Sequence, residues 1–171
     1  VGLDTRGLTY CPIVNLEDGC FDYIHTSISE NNDYVISDLA KQYYGLPLVT
    51  TIDFSDSMDY TISGHLITLE RDSVDLLLID SNCNFNKDLI KSMKANKLII
   101  DFGVSNPSSV ERLQEIQKEL GDEKIEYISL NLCPFNFKYD IVNWCEDNNV
   151  KIMGFNPFGG HISSNSMIDS F

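Results

Sequence analysis

The sequence predicts an α/β fold of the TIM type, a barrel of parallel strands with a helix after most of the strands. Three observations support this prediction. Short runs rich in β-branched and aliphatic residues alternate with longer stretches that have helical periodicity. Several of the short runs are apolar almost throughout, as expected for parallel strands that are covered on both faces. Seven such runs occur, which favours a (β/α) barrel over an open sheet of five or six strands.

The predicted strands provide seven of the eight that a complete barrel needs. They are residues 12–16, 21–26, 47–54, 74–80, 97–103, 125–132 and 150–156. The tail HISSNSMIDSF is too short to add a further strand and its helix. We therefore expect a single (β/α)-barrel-like domain over residues 1–171, incomplete at the C-terminus, with the eighth βα unit missing or irregular. Such a barrel is closed irregularly, cut short, or completed at its open edge by a protein partner or a second copy.

The clearest predicted helix covers residues 106–120. Ser108 or Ser109 can cap its N-terminus, and Gly121 follows as a C-terminal stop. The apolar side chains of this segment recur on one helical face, which consists of Val110, Leu113, Ile116 and Leu120. The other predicted helices are residues 32–44, 60–70, 87–95 and 138–147.

Composition restricts the classes of partner. The chain of 171 residues has 12 basic and 26 acidic residues, and its net charge of −14 argues against nucleic acid, which binds to cationic surfaces. A local cationic pocket for an anionic cofactor remains compatible with this charge. No apolar run approaches the roughly 20 residues that cross a bilayer, so membrane insertion is not expected.

The cysteines predict a reducing environment. Their number is odd and no CxxC motif occurs, so we expect free thiols in the cytoplasm or another reducing compartment. The five are Cys11, Cys20, Cys83, Cys133 and Cys145. Zinc would require paired ligand spacings that the sequence lacks.

The remaining ionisable residues near predicted strand ends carry weaker signals. Asp53, Asp80 and Asp101 could gather around a divalent ion, but their spacing has no metal signature, and no metal site is predicted. His65 lies on a predicted helix and is interpreted as a packing or surface residue. His161 follows a glycine pair near the mouth, where a ligand role has no further support.

Four segments, in order along the chain, resemble motifs of the aldo/keto reductases. FGVSNPSSVERLQEI (102–116) is similar to that family's GVSN strand end and following helix. LERDSVDLLLID (69–80), PFNFKYDIVNWCEDNNVKIMGFNPFGG (134–160) and IHTSISENNDYVISDLAK (24–41) resemble three others. The resemblance extends over roughly residues 19–160 and implies a divergent, catalytically degenerate and truncated member of the family.

The resemblance implies an activity whose residues this chain has replaced. The family reduces carbonyls with NADP(H), using a Tyr as general acid supported by an Asp, a Lys and a His. When this chain is aligned with the family motif without gaps, Glu30 takes the position of the Tyr and His25 takes the position of the Asp. The Lys position is Ile52 and the His position is Asp80. No catalytic residue is therefore predicted, because a carboxylate repels a developing oxyanion and Ile52 supplies no charge.

The cofactor positions implied by the resemblance are better preserved. Ser105 and Asn106 match the pair that holds the nicotinamide carboxamide, and Phe155 takes the place of the stacking ring. Ser129 stands where the family has a Gln, and FNPFGG (155–160) resembles the phosphate loop. The basic segment that holds the adenosine phosphate has no counterpart, so we expect no tightly bound cofactor, and NADP(H) only where the family function is retained.

Three interpretations remain open. The favoured one is a non-catalytic protein that acts as a structural or regulatory subunit of a larger assembly. The second is an NADP(H)-dependent reductase with a rearranged site, in which His25 donates the proton and Glu30 or Asp80 orients it. The third is a module that senses a nicotinamide cofactor without turnover.

Overall fold

The computed structural model describes residues 2–4, 22–28, 43–52, 58–134 and 137–157 of the chain. Its strands form one seven-stranded parallel sheet in the order in which they occur along the chain. The strands are β1 (Gly2–Asp4), β2 (Tyr23–Ser27), β3 (Leu48–Ile52), β4 (Val74–Asp80), β5 (Ile99–Ser105), β6 (Tyr127–Asn131) and β7 (Lys151–Phe155). The helices of the described residues are α1 (Met58–Leu69), α2 (Lys87–Ala95), α3 (Val110–Leu120) and α4 (Tyr139–Asp147). This is the predicted TIM-type arrangement of strands and helices.

Six of the seven predicted strands are confirmed, with boundaries that differ by a few residues. The prediction for residues 74–80 coincides with β4, whereas the prediction for 97–103 begins and ends two residues before β5. The run at 12–16 lies outside the described residues. β1 has no counterpart among the predicted strands, because three residues are too few to produce a periodic signal.

Four of the five predicted helices are confirmed. α2 begins and ends as predicted, and α3 begins after Ser109, whose Oγ accepts a hydrogen bond from the backbone N–H of Arg112 at 3.3 Å. Gly121 follows α3 with a φ of +64°, which a residue without Cβ adopts at little cost. The predicted helix at 32–44 lies mostly outside the described residues, and its last two residues form a turn with Gly45.

The helix-facing side of the sheet carries the main core. Successive strand residues point to opposite faces, so every second residue of β3, β4, β5 and β6 meets the helices. The buried strand residues on this side include Leu48, Ile52, Leu77, Ile79, Phe102, Val104, Ile128 and Leu130. They pack against buried helix residues that include Ile62, Leu66, Ile90, Met93, Leu113, Ile116 and Ile141. Covered on both faces, the central strands read as nearly continuous apolar runs.

The interior side of the sheet has a smaller apolar cluster and more polar residues. Val49, Leu76 and Leu78 form this cluster, with Tyr23 and Met153 among the side chains packed against it. All five residues of β7 are exposed or half-buried, whereas Leu77 and Leu78 of β4 are fully buried. Among the described strands, β7 pairs only with β6, so the sheet is open on that side.

The described cysteines are free and buried, in agreement with the sequence prediction. They are Cys83, Cys133 and Cys145. Burial raises the pKa of the Cys145 thiol to about 11, because the surrounding apolar groups disfavour the thiolate. The Cys145 thiol therefore packs as a small apolar group and is a poor nucleophile at neutral pH.

Substitution of Ile52 by lysine tests which face of the sheet this residue occupies. We expect Ile52→Lys to lower the free energy of unfolding by about 3–5 kcal/mol, because the ammonium would be buried among the helices without a counter-ion. Thr51→Lys is the matched control, since Thr51 is half-buried on the interior side. Urea unfolding followed by circular dichroism measures both variants. Equal losses in the two variants would contradict the helix-facing position of Ile52.

A close approach of β5 and β6 requires glycine at position 103. A Cβ there would lie 2.5 Å from the Tyr127 carbonyl oxygen and 2.8 Å from Tyr127 Cβ. We therefore expect Gly103→Ala to destabilise the fold by about 1–3 kcal/mol through overpacking. Gly64→Ala in α1 is the control, because nothing lies within 4 Å of its added Cβ, and it should gain up to about 1 kcal/mol from helix propensity. Thermal unfolding compares the two, and equal effects would argue against the close contact.

Candidate functional site

The carboxyl ends of β4, β5 and β6 bring three polar residues into one row. The register pairs Asp80 with Ser105, and Ser105 with Ser129. Ser105 and Ser129 face the interior, because they alternate with Val104 and Ile128, which pack in the helix-facing core. In (β/α) barrels, binding and catalytic residues come from this end of the strands. The row is therefore the candidate site.

Asn106 continues this row into the turn before α3. Its backbone has a φ of +48°, a left-handed conformation that Asn tolerates better than most residues. Its N–H donates to the Ser129 carbonyl at 2.7 Å, which extends the β5–β6 ladder by one residue. Its carbonyl accepts a hydrogen bond from Ser81 Oγ at 3.2 Å, and the Ser105 carbonyl accepts one from the Ser81 N–H at 3.0 Å. The turn is thus fixed from both neighbouring strands.

The polar side chains of Ser105, Asn106 and Ser129 make no hydrogen bond to another described residue, and that of Asn106 is exposed. Ser105 and Ser129 are 4% and 1% exposed, and neither hydroxyl is hydrogen-bonded to another described residue. The carboxamide of Asn106 is exposed and likewise has no side-chain hydrogen bond to another described residue. Two hydroxyls and one amide therefore offer both donors and acceptors at one point of the mouth. Such a group can bind a planar amide or another small polar function.

Phe155 stands one strand further along, at the end of β7. It pairs with Asn131 in the register, and its carbonyl accepts a hydrogen bond from the Leu132 N–H at 3.1 Å. The ring is half-buried, and alternation with Gly154 places it on the interior side with Met153. Three neighbouring strand ends thus carry Ser105, Ser129 and Phe155. Their role in cofactor binding stays a prediction.

His25 and Asp80 do not meet. His25 is 5% exposed on β2, and its Nε2 is hydrogen-bonded to Thr51 Oγ1 at 2.7 Å. In the register His25 is level with Val49 and Leu76, whereas Asp80 lies four residues further along β4, about 13 Å at the rise of a strand. Asp80 Oδ1 accepts hydrogen bonds from the backbone and side-chain nitrogens of Asn82, both at 2.8 Å. Asp80 therefore caps its own turn and does not orient His25.

The position aligned with the family's lysine does not face the mouth. Ile52 is fully buried in the helix-facing core, so the gapless frame places the wrong side of β3 at the site. The preceding residue, Thr51, is hydrogen-bonded to His25 on the interior side and also lacks a charge. Glu30, the position aligned with the family's tyrosine, lies outside the described residues.

Two cations approach the mouth, and both are bound to carbonyl groups. Arg112 donates from Nε to the Ser81 carbonyl at 2.8 Å and from Nη2 to the Cys83 carbonyl at 3.1 Å. Lys138 donates from Nζ to the Pro107 carbonyl at 3.1 Å. Sequence reasoning missed these contacts, because each joins residues about thirty positions apart in the sequence. No pattern of residue types marks such contacts in advance.

A tyrosine–lysine pair exists on the interior face, but at the other end of the strands. Lys151 Nζ donates to the Tyr127 hydroxyl at 3.0 Å, and this bond raises the pKa of Lys151. The two residues begin β7 and β6 and share one register row with Gly103. Because barrel sites lie at the carboxyl ends, we assign this pair to packing rather than to chemistry.

The remaining candidate residues of the sequence analysis lie partly within and partly outside the described residues. His65 is 6% exposed, and its Nε2 lies 3.3 Å from Thr26 Oγ1, so it is a packing residue. Asp53, His161 and the 158–160 part of the phosphate loop lie outside the described residues. In the part of the chain that the structure describes, no three His, Cys, Asp or Glu side chains are grouped to hold a metal ion. None of the described helices is long and apolar enough to cross a membrane.

Comparisons with known proteins agree with this fold. The sequence profile of the Aldo/keto reductase family matches residues 56–170. An aldo/keto reductase from Klebsiella pneumoniae, crystallised with NADP and acetate, is similar with a TM-score of 0.69 and 16% identity, over 88% of this chain and 60% of its own. A candidate 2,5-diketo-D-gluconic acid reductase B has the same TM-score and identity, over 88% of this chain and 58% of its own. Among curated proteins, none matches the chain.

The matched structures show the type of the fold. The chain spans about 60% of the length of the solved structures it matches. The family profile covers more than half of the chain, and its range contains the GVSN turn and the strands from β4 to β7. This protein therefore belongs to the aldo/keto reductase family.

Proposed function

We propose that this chain is a non-catalytic aldo/keto-reductase-like protein that acts as a structural or regulatory subunit of a larger assembly. The observation that carries the proposal is the state of the residues aligned with the catalytic ones. His25 is buried against Thr51, Asp80 caps its own turn, and Ile52 packs among the helices. None of the three is arranged to protonate a carbonyl oxygen at the mouth.

Electrostatics supports the same proposal. Hydride transfer to a carbonyl develops negative charge on oxygen, and catalysis requires donors or cations aimed at that charge. Arg112 and Lys138 are bound to backbone carbonyls, and Arg112 also contacts Glu115 and Glu119. The charged residue at the described end of β4 is Asp80, whose carboxylate would repel an oxyanion.

The open sheet supports a role in an assembly. β7 is the least buried of the strands from β2 to β7, and its outer edge is unpaired within the described residues. Unpaired parallel edges invite pairing with another chain. We propose that residues 1–171 form one domain whose edge is completed by a protein partner or a second copy. The buried free thiols fit the cytoplasm or another reducing compartment.

A reductase assay tests the non-catalytic proposal. We expect the purified chain to show no aldehyde-dependent oxidation of NADPH, followed by absorbance, while an active family member assayed in parallel does. A cooperative thermal transition of the same sample demonstrates that the protein is folded. Turnover that His25→Ala abolishes would contradict the proposal and establish the rearranged site instead. Turnover that survives this substitution would also refute the proposal, and would exclude His25 as proton donor.

A second candidate function is the binding of the nicotinamide end of NADP(H) without turnover. The observation that favours it is the cluster of available polar groups on Ser105, Asn106 and Ser129, with the ring of Phe155 on the neighbouring strand end. A carboxamide can pair with this cluster, and a ring can stack on Phe155. We expect weak binding, because the two cations that approach the mouth, Arg112 and Lys138, are bound to carbonyl groups and are not free for the adenosine phosphate.

The substitution Asn106→Asp tests the second candidate. It keeps a side chain that tolerates the left-handed backbone and replaces the amide donor by a carboxylate, so we expect NADPH to bind about tenfold more weakly. Asn149→Asp is the matched control, because Asn149 is also exposed and left-handed, with a φ of +56°, but precedes β7 at the opposite end of the sheet. NADPH fluorescence titration measures both. Equal affinities of the two variants would exclude binding at Asn106, and no binding by the wild-type chain would leave the first proposal alone.

A further inference from the structure

The loop after β4 and the turn after β5 are joined by Ser81. This residue is 2% exposed and directly follows Asp80. Its N–H donates to the Ser105 carbonyl at 3.0 Å, and its Oγ donates to the Asn106 carbonyl at 3.2 Å. Ser81 therefore binds the two residues that carry the candidate nicotinamide contacts, and it does so through their backbone. The side chains of Ser105 and Asn106 make no hydrogen bonds to other described residues, so the conformation of this backbone determines where they point.

Arg112, in the first turn of α3, closes a ring of hydrogen bonds around this turn. Its Nε donates to the Ser81 carbonyl at 2.8 Å, and its Nη2 donates to the Cys83 carbonyl at 3.1 Å. Its backbone N–H donates to Ser109 Oγ at 3.3 Å. The series of contacts thus runs from Ser81 to Asn106 by a hydrogen bond, along the backbone of the turn to Ser109 and Arg112, and back to Ser81 by a second hydrogen bond. A planar guanidinium can satisfy two carbonyls at once, and an ammonium cannot reproduce that fork.

Two glutamates form exposed ion pairs with the guanidinium of Arg112, and such pairs contribute little to its position. Arg112 Nη1 lies 3.2 Å from Glu115 Oε2 and 3.4 Å from Glu119 Oε1. Glu119 Oε2 also accepts a hydrogen bond from the Phe85 N–H at 3.3 Å, so α3 contacts the β4–α2 loop at three points. Glu115 touches Arg112 without touching the loop, and this makes it a useful control position.

We propose that Arg112 is a positioning residue, which acts through Ser81 to hold the Ser105–Asn106 turn in the conformation that binds the nicotinamide end of the cofactor. This inference rests on the second candidate function. Arg112 does not reach the candidate ligand position, because both of its loop-directed nitrogens are bound to carbonyls of residues 81 and 83. Without the fork, the β4–α2 loop keeps only one of its three contacts with α3, the bond from Phe85 to Glu119, and the carbonyl of Ser81 loses its partner. Ser81 is then held less firmly against the carbonyls of Ser105 and Asn106.

The experiment compares Arg112→Lys, Ser81→Ala and Glu115→Gln in the full chain. Arg112→Lys keeps the charge and loses the fork, whereas Ser81→Ala removes only the bond from Oγ to the Asn106 carbonyl. Glu115→Gln removes one ion pair and leaves every contact of Arg112 with the loop. NADPH titration gives the dissociation constant, and hydrogen exchange gives the protection of the Asn106 amide, which donates to Ser129.

We expect Arg112→Lys to raise the NADPH dissociation constant about tenfold and Ser81→Ala about threefold. Both variants should exchange the Asn106 amide faster than the wild type, while amides of β6 keep their protection. Glu115→Gln should leave both quantities unchanged. A uniform loss of protection across the sheet together with weaker binding would mean that Arg112 acts only on global stability, and would overturn the proposal. Ser81→Ala keeps the test decisive where Arg112→Lys fails to fold.

The two possible failures are distinguishable. Absence of NADPH binding by the wild-type chain would refute the second candidate function, and the role of Arg112 in binding would fall with it. Wild-type binding that Arg112→Lys and Ser81→Ala leave unchanged would refute the positioning role alone. Faster exchange at Asn106 without a change in NADPH affinity would also refute it, because the turn would then be held by Arg112 without serving the ligand.

Discussion

The alternation of side chains along the parallel strands decides which residues reach the mouth of this barrel. On β3 it directs Ile52 into the helix layer and Thr51 to the interior, and on β5 it directs Val104 outward and Ser105 inward. The outward residues build the core on which the shape of the sheet depends, so they cannot also serve the site. The chemistry available at the described mouth is therefore that of the inward residues, and these supply hydroxyls, an amide and a carboxylate.

The proposed function assigns this set of groups to recognition and not to carbonyl reduction. Hydroxyls and amides bind neutral polar functions in their ground state, whereas reduction requires a proton donor and positive charge aimed at a developing oxyanion. The nearby cations serve another purpose, since Arg112 and Lys138 connect helices to the turns between strands and helices. Carbonyl and carboxylate groups bind both cations. Their charge therefore stabilises the turns around the mouth and not a bound ligand.

Much of the fold could be predicted from the sequence, because local signals specified it. VDLLLID is buried on both faces and reads as β4 without ambiguity, and the serine and glycine at the ends of α3 mark its boundaries. The side of the sheet that Ile52 occupies could not be predicted from the alignment. An alignment that is wrong by a single residue assigns a side chain to the opposite face of the sheet. The ring through Ser81 and Arg112 was equally hidden, since Ser81 lies in the loop after β4 and Arg112 lies in α3, and only the folded sheet brings them together.

The GVSN turn illustrates why a motif can identify a fold without establishing an activity. Gly103 is required by the approach of Tyr127, Asn106 by a left-handed backbone, and Ser109 by the open N–H groups of α3. Each of these demands comes from the strand-to-helix connection itself and is independent of a bound substrate. The side chain of His25 is hydrogen-bonded to Thr51, and Asp80 accepts hydrogen bonds from Asn82 in its own turn. The motif therefore identifies the fold, while the activity has to be argued from the side chains that the strands turn toward the mouth.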